Sequence, residues 1–229
     1  MSFYLDRFKR SYSTTTRGKG DYTHYSSFVG NRRLTTQHKI SYLPPSYTEE
    51  TYKGFSLIIV NAPIKVTQLL DATGLPVSSY AQVENSIEGE SEIATDYFAY
   101  AWRIGKSDEV KTLRWCDDYA DLRGVCMTRS LEKTLKMAKS KLDIYDRCYE
   151  IADKLTEIAN NCPSNTPLVT NALVGDVVGL WAWGRMREGV VVGNKGSRFI
   201  IAYVTPTSPK EIKMKSLPLF NIYKGVTQL

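Results

Sequence analysis

An α+β fold follows from three features of the chain. Residues 54–60 form an apolar run that reads as a buried strand, and a seam of apolar residues steps by three and four through residues 130–160. Beyond residue 176, three valine- and isoleucine-rich segments are separated by glycine-containing turns. The expected architecture is a disordered basic N-terminal arm (1–40), a linker (41–52) and an α+β globular region (53–163) with one long helix at about 130–160. A β-rich C-terminal region (164–229) packs on it as an antiparallel β-sheet or small half-open barrel.

Each element has its own signal. In the arm, Ser13-Thr14-Thr15-Thr16 and Gly18-Lys19-Gly20 interrupt any hydrophobic period, so no helix is expected and disorder is. The run Gly54-Phe55-Ser56-Leu57-Ile58-Ile59-Val60 is ended by Asn61-Ala62-Pro63. Residues 64–96, with a break at Gly74-Leu75-Pro76 and acids from Glu84 to Asp96, predict a short helix and then a loop. Tyr97 to Ile104 alternates as a strand, with Phe98, Tyr100, Trp102 and Ile104 on one face. Ser107 then caps a helix that Arg123-Gly124 closes. The long helix carries Leu131, Leu135, Ala138, Leu142, Tyr145, Tyr149 and Ala152 on one seam, with no Gly or Pro. Strands follow at 176–183, 189–193 and 198–204, and two shorter ones near 211–215 and 219–223.

The chain's net charge of +6 is localised. Eight Lys/Arg against Asp6 and Asp21 give residues 1–40 the whole excess, while residues 41–229 carry 22 of each sign. A cationic segment with Tyr4, Tyr12, Tyr22 and Tyr25 interleaved suits a polyanion. Each Lys or Arg gains by releasing counterions from a nucleic acid, or about 1 kcal/mol near an anionic leaflet. Arg185, Arg187, Lys195 and Arg198, around the turns of the C-terminal strands, make a secondary basic patch. Trp181, Trp183 and Tyr203 read as core of that region rather than as a ligand cage.

Several classes are excluded. No stretch approaches the ~20 apolar residues of a membrane span, and the first residues lack an apolar signal core, so cytosolic synthesis is the expectation. The four cysteines, Cys116, Cys126, Cys148 and Cys162, form no Cys-x-x-Cys, and the histidines are His24 and His38 alone, which argues against a zinc site. No Walker loop or Gly-x-Gly-x-x-Gly occurs, and Asp117, Asp118 and Asp121 fall on the solvated face of an expected helix. The chain reads as no enzyme, with no cofactor.

The one motif with a mechanism is Pro44-Pro45-Ser46-Tyr47, within Tyr42-Leu43-Pro44-Pro45-Ser46-Tyr47-Thr48-Glu49-Glu50. Adjacent prolines preform a polyproline II turn that lies in an aromatic groove, and a tyrosine two residues on fills a second pocket. This is how WW domains bind Pro-Pro-x-Tyr peptides. A linker position before the first apolar run predicts exposure.

This layout, a basic arm, a Pro-Pro-x-Tyr segment and a domain of about 180 residues, resembles the matrix proteins of negative-strand RNA viruses, particularly the rhabdovirus type. The resemblance implies that Pro44, Pro45 and Tyr47 are a late-budding element recruiting WW-domain ubiquitin ligases of the HECT type. It gives Arg7, Lys9, Arg10, Arg17, Lys19, Arg32 and Arg33 the role of binding anionic membrane lipids. It implies a domain that contacts viral nucleocapsid or RNA and self-associates as a homo-oligomer, and a location in the virion, the host cytoplasm and the inner face of the host membrane. The long helix adds a reason for self-association: Lys133 and Lys136 in its first half complement Glu150, Asp153 and Glu157 of an antiparallel copy. An RNA-binding coat, nucleoprotein or movement protein is the alternative that the same charge distribution allows.

Overall fold

The structure, a computed structural model, describes residues 3–12, 23–29, 32–104, 126–158, 162–205 and 208–227. It is α+β, with two antiparallel sheets. The elements in chain order are α1 (Phe3–Tyr12), β1 (Thr23–Val29), β2 (Arg32–Tyr42), β3 (Ser46–Tyr52), β4 (Phe55–Leu70), β5 (Ile87–Arg103) and β6 (Cys126–Thr128). Then come α2 (Leu131–Glu150), α3 (Ala152–Ile158), β7 (Val177–Ala182), β8 (Arg185–Lys195), β9 (Arg198–Thr205), β10 (Ser208–Pro218) and β11 (Tyr223–Lys224). The chain divides into two compact units. One comprises Met1–Thr51, Ser56–Ala101 and Gly124–Ala138; the other comprises Tyr52–Phe55, Trp102–Arg123 and Lys139–Leu229. The boundary expected at residue 163 lies inside the second unit.

The first sheet runs β1-β2-β4-β5-β6, with β3 also on β4. Ile40 sits opposite Val66 and Tyr42 opposite Ile64, and Ile40, Ile64 and Val66 are buried together against Leu34, Tyr42 and Ala94. The arm is therefore shorter than its charge suggests: residues 23–29 and 32–40 pair as a hairpin, and Phe3–Tyr12 is helical. The reason is that a few apolar residues suffice at strand spacing, Leu34 and Ile40 facing the core while Arg33 and Thr35 face water. The rest of the expected arm, 13–22, lies outside the described residues, as does the expected helix from Ser107.

The strand from Phe55 does not stop at Pro63. It continues to Leu70, correcting the short helix expected after residue 64. Ile64 and Val66 are buried and Lys65 is exposed, the period of a strand. Pro63 lacks only an N–H; its carbonyl accepts Leu43 N–H at 3.0 Å. A 3-10 turn at Tyr80–Asn85 covers Leu69 and Val77 with Val83. The acidic stretch expected as a loop is the first half of β5, where Glu88 pairs with Lys39 of β2.

The second sheet runs β10-β9-β8-β7-β11. Val178, Leu180, Ala182, Val191, Ile201, Tyr203, Leu217 and Ile222 form its core, and α3 packs on β8, β9 and β10. The sheet curls: although β10 and β7 are separated by two strands, Lys215 Nζ donates to Trp181 O at 2.7 Å and Lys213 Nζ stands 4.6 Å from the Trp183 ring centre. Lysine side chains rather than ladder bonds make these two contacts. Glu188, fully buried, accepts Val226 N–H, Thr227 N–H at 3.0 Å and Thr227 Oγ1 at 2.5 Å.

The long helix is helical from Leu131 to Ile158, with a turn at Ile151 across which Ile151 N–H to Arg147 O and Leu155 N–H to Ile151 O carry the hydrogen bonding. Ser130 Oγ accepts Lys133 N–H at 3.3 Å, capping the start. Its apolar seam is wider than one stripe: Ala138, Leu142, Ile144, Tyr145, Cys148 and Leu155 are buried, and Cys148 Sγ contacts Met214 Sδ at 3.7 Å. Burial pushes the Cys148 thiol up to about 12. From Ala138 onward most of the seam is thus spent inside the chain, whereas Leu131 and Met137 are exposed in the first half, and Lys133, Lys136, Glu150, Asp153 and Glu157 face solvent.

Candidate functional site

The Pro-Pro-x-Tyr segment sits at the edge of the first sheet. β2 and β3 follow one another along one side of β4, and Leu43-Pro44-Pro45 joins them. Two prolines at this junction cost nothing in ladder bonds, because the sheet is interrupted there, and they keep the edge from pairing with another strand. Pro44 is exposed and Pro45 half-buried. Ser46 begins β3, so Tyr47 is already in a strand rather than in a free linker.

Tyr47 corrects the expected exposure. It is half-buried, its ring meeting Phe8 of α1 edge-on with centres 5.9 Å apart and planes at 75°. Lys9 Nζ lies 5.6 Å from the Tyr47 ring centre. Burial raises the phenol's pKa above its ordinary value. Phe8 is 4% exposed and packs in turn on Tyr100 of β5, with centres 4.6 Å apart. Glu49, next but one after Tyr47, is half-buried and accepts the Ser56 hydroxyl; Glu50 is exposed. The physical reason is that β3 folds back on β4 through a two-residue turn at Lys53-Gly54, which carries Tyr47 onto the sheet.

The arm's cations separate into distinct environments. Arg7, Lys9 and Arg10 belong to α1, with Asp6 in its first turn and Lys9 and Arg10 in its last, as the helix dipole favours. Arg10 is exposed and its Nε donates to Asp6 O at 3.4 Å. Arg32 and Arg33 open β2 opposite Val29 and Phe28, and Arg33 is exposed. Arg17 and Lys19 lie outside the described residues.

The secondary basic patch does not assemble as expected. Arg185 and Lys195 are the two ends of β8, about 33 Å apart at strand rise, more than three Debye lengths in physiological salt. Arg187 is 4% exposed; its Nε donates to Ala182 O at 3.2 Å, and burial lowers its pKa. Arg198 is exposed but tied to Ser216 through Nη2 to the carbonyl at 2.6 Å and Nε to the hydroxyl at 3.2 Å. β8 is buried on both faces from Met186 to Gly193, which takes Arg187 inward and which a charge count along the sequence does not register.

The sequence reading missed Phe8 and Tyr100, the residues that hold Tyr47. A faint signal exists for the first: Leu5, Phe8 and Tyr12 step by three and four, but over ten residues only. Of the tryptophans thought to be core, Trp181 is 51% and Trp183 72% exposed, while Tyr203 is buried. Among the described residues no group of three or more His, Cys, Asp and Glu is placed to hold a metal ion, and no helix is long and apolar enough to cross a membrane. Compared with protein-family models, curated proteins and solved structures, the chain matches none.

Proposed function

We propose that this chain is a non-enzymatic viral matrix or assembly protein. In this reading it binds anionic membrane and nucleocapsid, self-associates, and recruits WW-domain ubiquitin ligases of the HECT type for budding. The observation that carries the reading is the placement of Pro44-Pro45 at a sheet-edge junction with Pro44 in solvent, where a short proline-preformed ligand is within reach of a partner. The cationic helix α1, beside the motif, supplies the membrane contact in this reading. A peptide spanning residues 40–52 is expected to bind a WW domain from a HECT-type ligase, and Tyr47→Ala in that peptide to abolish binding; a peptide that does not bind overturns the reading.

A second reading, an RNA-binding coat, nucleoprotein or movement protein, draws support from the solvent-facing Trp181 and Trp183 beside Arg185 and Lys213, a combination suited to stacking on bases near phosphates. RNA affinity that falls linearly with the logarithm of salt, together with no capture by anionic vesicles, would favour it.

A further inference from the structure

We infer that helix α1 is a catch on the Pro-Pro-x-Tyr segment, opened when its cationic residues engage an anionic membrane. This rests on the reading of Pro44, Pro45 and Tyr47 as a WW ligand.

Half of the ligand is presented and half withheld. Pro44 is exposed, yet the Tyr47 ring, which must enter a pocket of the partner, is covered by Phe8 and flanked by the Lys9 ammonium. Ser46 and Tyr47 are also the first residues of β3, extended in a ladder instead of in the polyproline II form that a WW groove accepts. Binding therefore requires Tyr47 to leave Phe8 and the start of β3 to peel from β4. As an edge strand β3 is bonded on one side only, so two residues can detach without opening the sheet.

The catch is built to release. A helix of ten residues is too short to hold its form in water unaided, so α1 depends on what it touches. The buried anchor in its middle is Phe8, wedged between Tyr47 and Tyr100. The neighbouring Lys9 and Arg10 offer an anionic leaflet a cationic turn, and the same ten residues contain Phe3, Tyr4 and Leu5, apolar enough for an interfacial helix. Membrane and sheet compete for one helix, and the phenol of Tyr47 goes free when the membrane wins. By population arithmetic, a motif accessible in one molecule of ten binds ten times more weakly than the free peptide.

The test compares a WW domain's affinity for the 40–52 peptide with its affinity for the full chain, alone and with phosphatidylserine–phosphatidylcholine vesicles or pure phosphatidylcholine vesicles. The full chain is expected to bind about tenfold or more weakly than the peptide. Phe8→Ala should recover most of that loss, and the gentler Phe8→Leu, which keeps apolar volume on Tyr100, part of it, with both melting temperatures recorded. Phosphatidylserine vesicles should recover it in the unmodified chain, and pure phosphatidylcholine should not. Equal affinity of peptide and full chain without vesicles overturns the catch. Weak binding that anionic vesicles leave unaltered overturns its release by membrane. A peptide that itself fails to bind overturns the underlying reading of the motif instead.

Discussion

The turns at Lys53-Gly54, between β3 and β4, and at Trp183-Gly184, between β7 and β8, share a backbone and differ in surroundings. In each, a residue with a side chain holds a positive φ, +47° and +55°, ahead of a glycine at +73° and +75°. Tight hairpins want this geometry because its twist matches that of the strands, but the first position favours Asn, Asp or Gly, and other residues are strained there. Lys53 recovers the strain inside the fold: its Nζ lies 2.9 Å from Asp143 Oδ1 and 3.7 Å from Asp146 Oδ2, and Tyr52 Oη donates to Asp143 Oδ1 at 2.9 Å. Trp183 faces solvent with Lys213 beside its ring. One turn ties a hairpin to a helix by charge, while the other holds a large aromatic ring out in water with little return to stability.

The largest effect that would break the comparison comes from the glycines. A Cβ at Gly54 or Gly184 would meet nothing within 4 Å, so Gly54→Ala and Gly184→Ala report backbone strain alone. Each should lower unfolding stability by about 1–2 kcal/mol in denaturant titrations, and equal losses would confirm that the two backbones are equivalent.

Asp143 then separates the turns by pH. Burial alone would raise its carboxyl, but hydrogen bonds from Lys53 and Tyr52 outweigh that and hold it below the usual carboxylate range. A carboxyl depressed in the folded state contributes stability above its unfolded pKa, and this contribution is lost as pH falls through the folded value. Asp143→Asn should therefore destabilise the chain by a constant amount between pH 6 and 8, at roughly two units and more above an ordinary carboxyl, and by progressively less below pH ~4. A difference that does not vary with pH would remove the ion pair from the account of the Lys53 turn.

The smallest effect is the sharpest in sign. Asparagine tolerates positive φ, so Trp183→Asn should raise stability by a few tenths of a kcal/mol after the loss of the Lys213 contact is set against relief of strain. Lys53→Asn relieves the same strain but forfeits the contacts to Asp143 and Asp146, and should lower the melting temperature. Matching signs in thermal melts would show that the two turns are not distinguished by their surroundings.

The second sheet was more legible than the first, for a physical reason. Its strands are buried runs such as Val190-Val191-Val192 and Ile200-Ile201-Ala202, punctuated by Gly184 and Gly196 at positive φ, so pattern and turn chemistry agree. In the first sheet β1, β3 and the start of β5 place none of their described side chains in the fully buried core, and alternation disappears from residues such as Glu88, Glu90 and Glu92. What marks these strands is a partner elsewhere in the sequence: His24 of β1 lies opposite Ile40 in the ladder, and Glu88 of β5 forms an ion pair with Lys39 across the intervening β4. The candidate site divides in the same way. Pro44, Pro45 and Tyr47 were visible as a local motif, whereas the cover over Tyr47 depends on Phe8, 39 residues before it, and on Tyr100, 53 residues after it, brought together by tertiary packing.

The seating of Val226 and Thr227 on Glu188 has a consequence for the order in which the protein is made. The first compact unit draws on no residue beyond Ala138, so its sheet can consolidate while the rest is still being translated. The second cannot. Until residues 223–227 have emerged, β7 has no outer neighbour in β11, and the Glu188 carboxylate, fully buried in the finished sheet, lacks the amides and hydroxyl that make burial tolerable. A carboxylate that stays hydrated until its donors arrive keeps the second sheet open during synthesis. Its closure waits for that five-residue segment rather than for the strands that dominate its core.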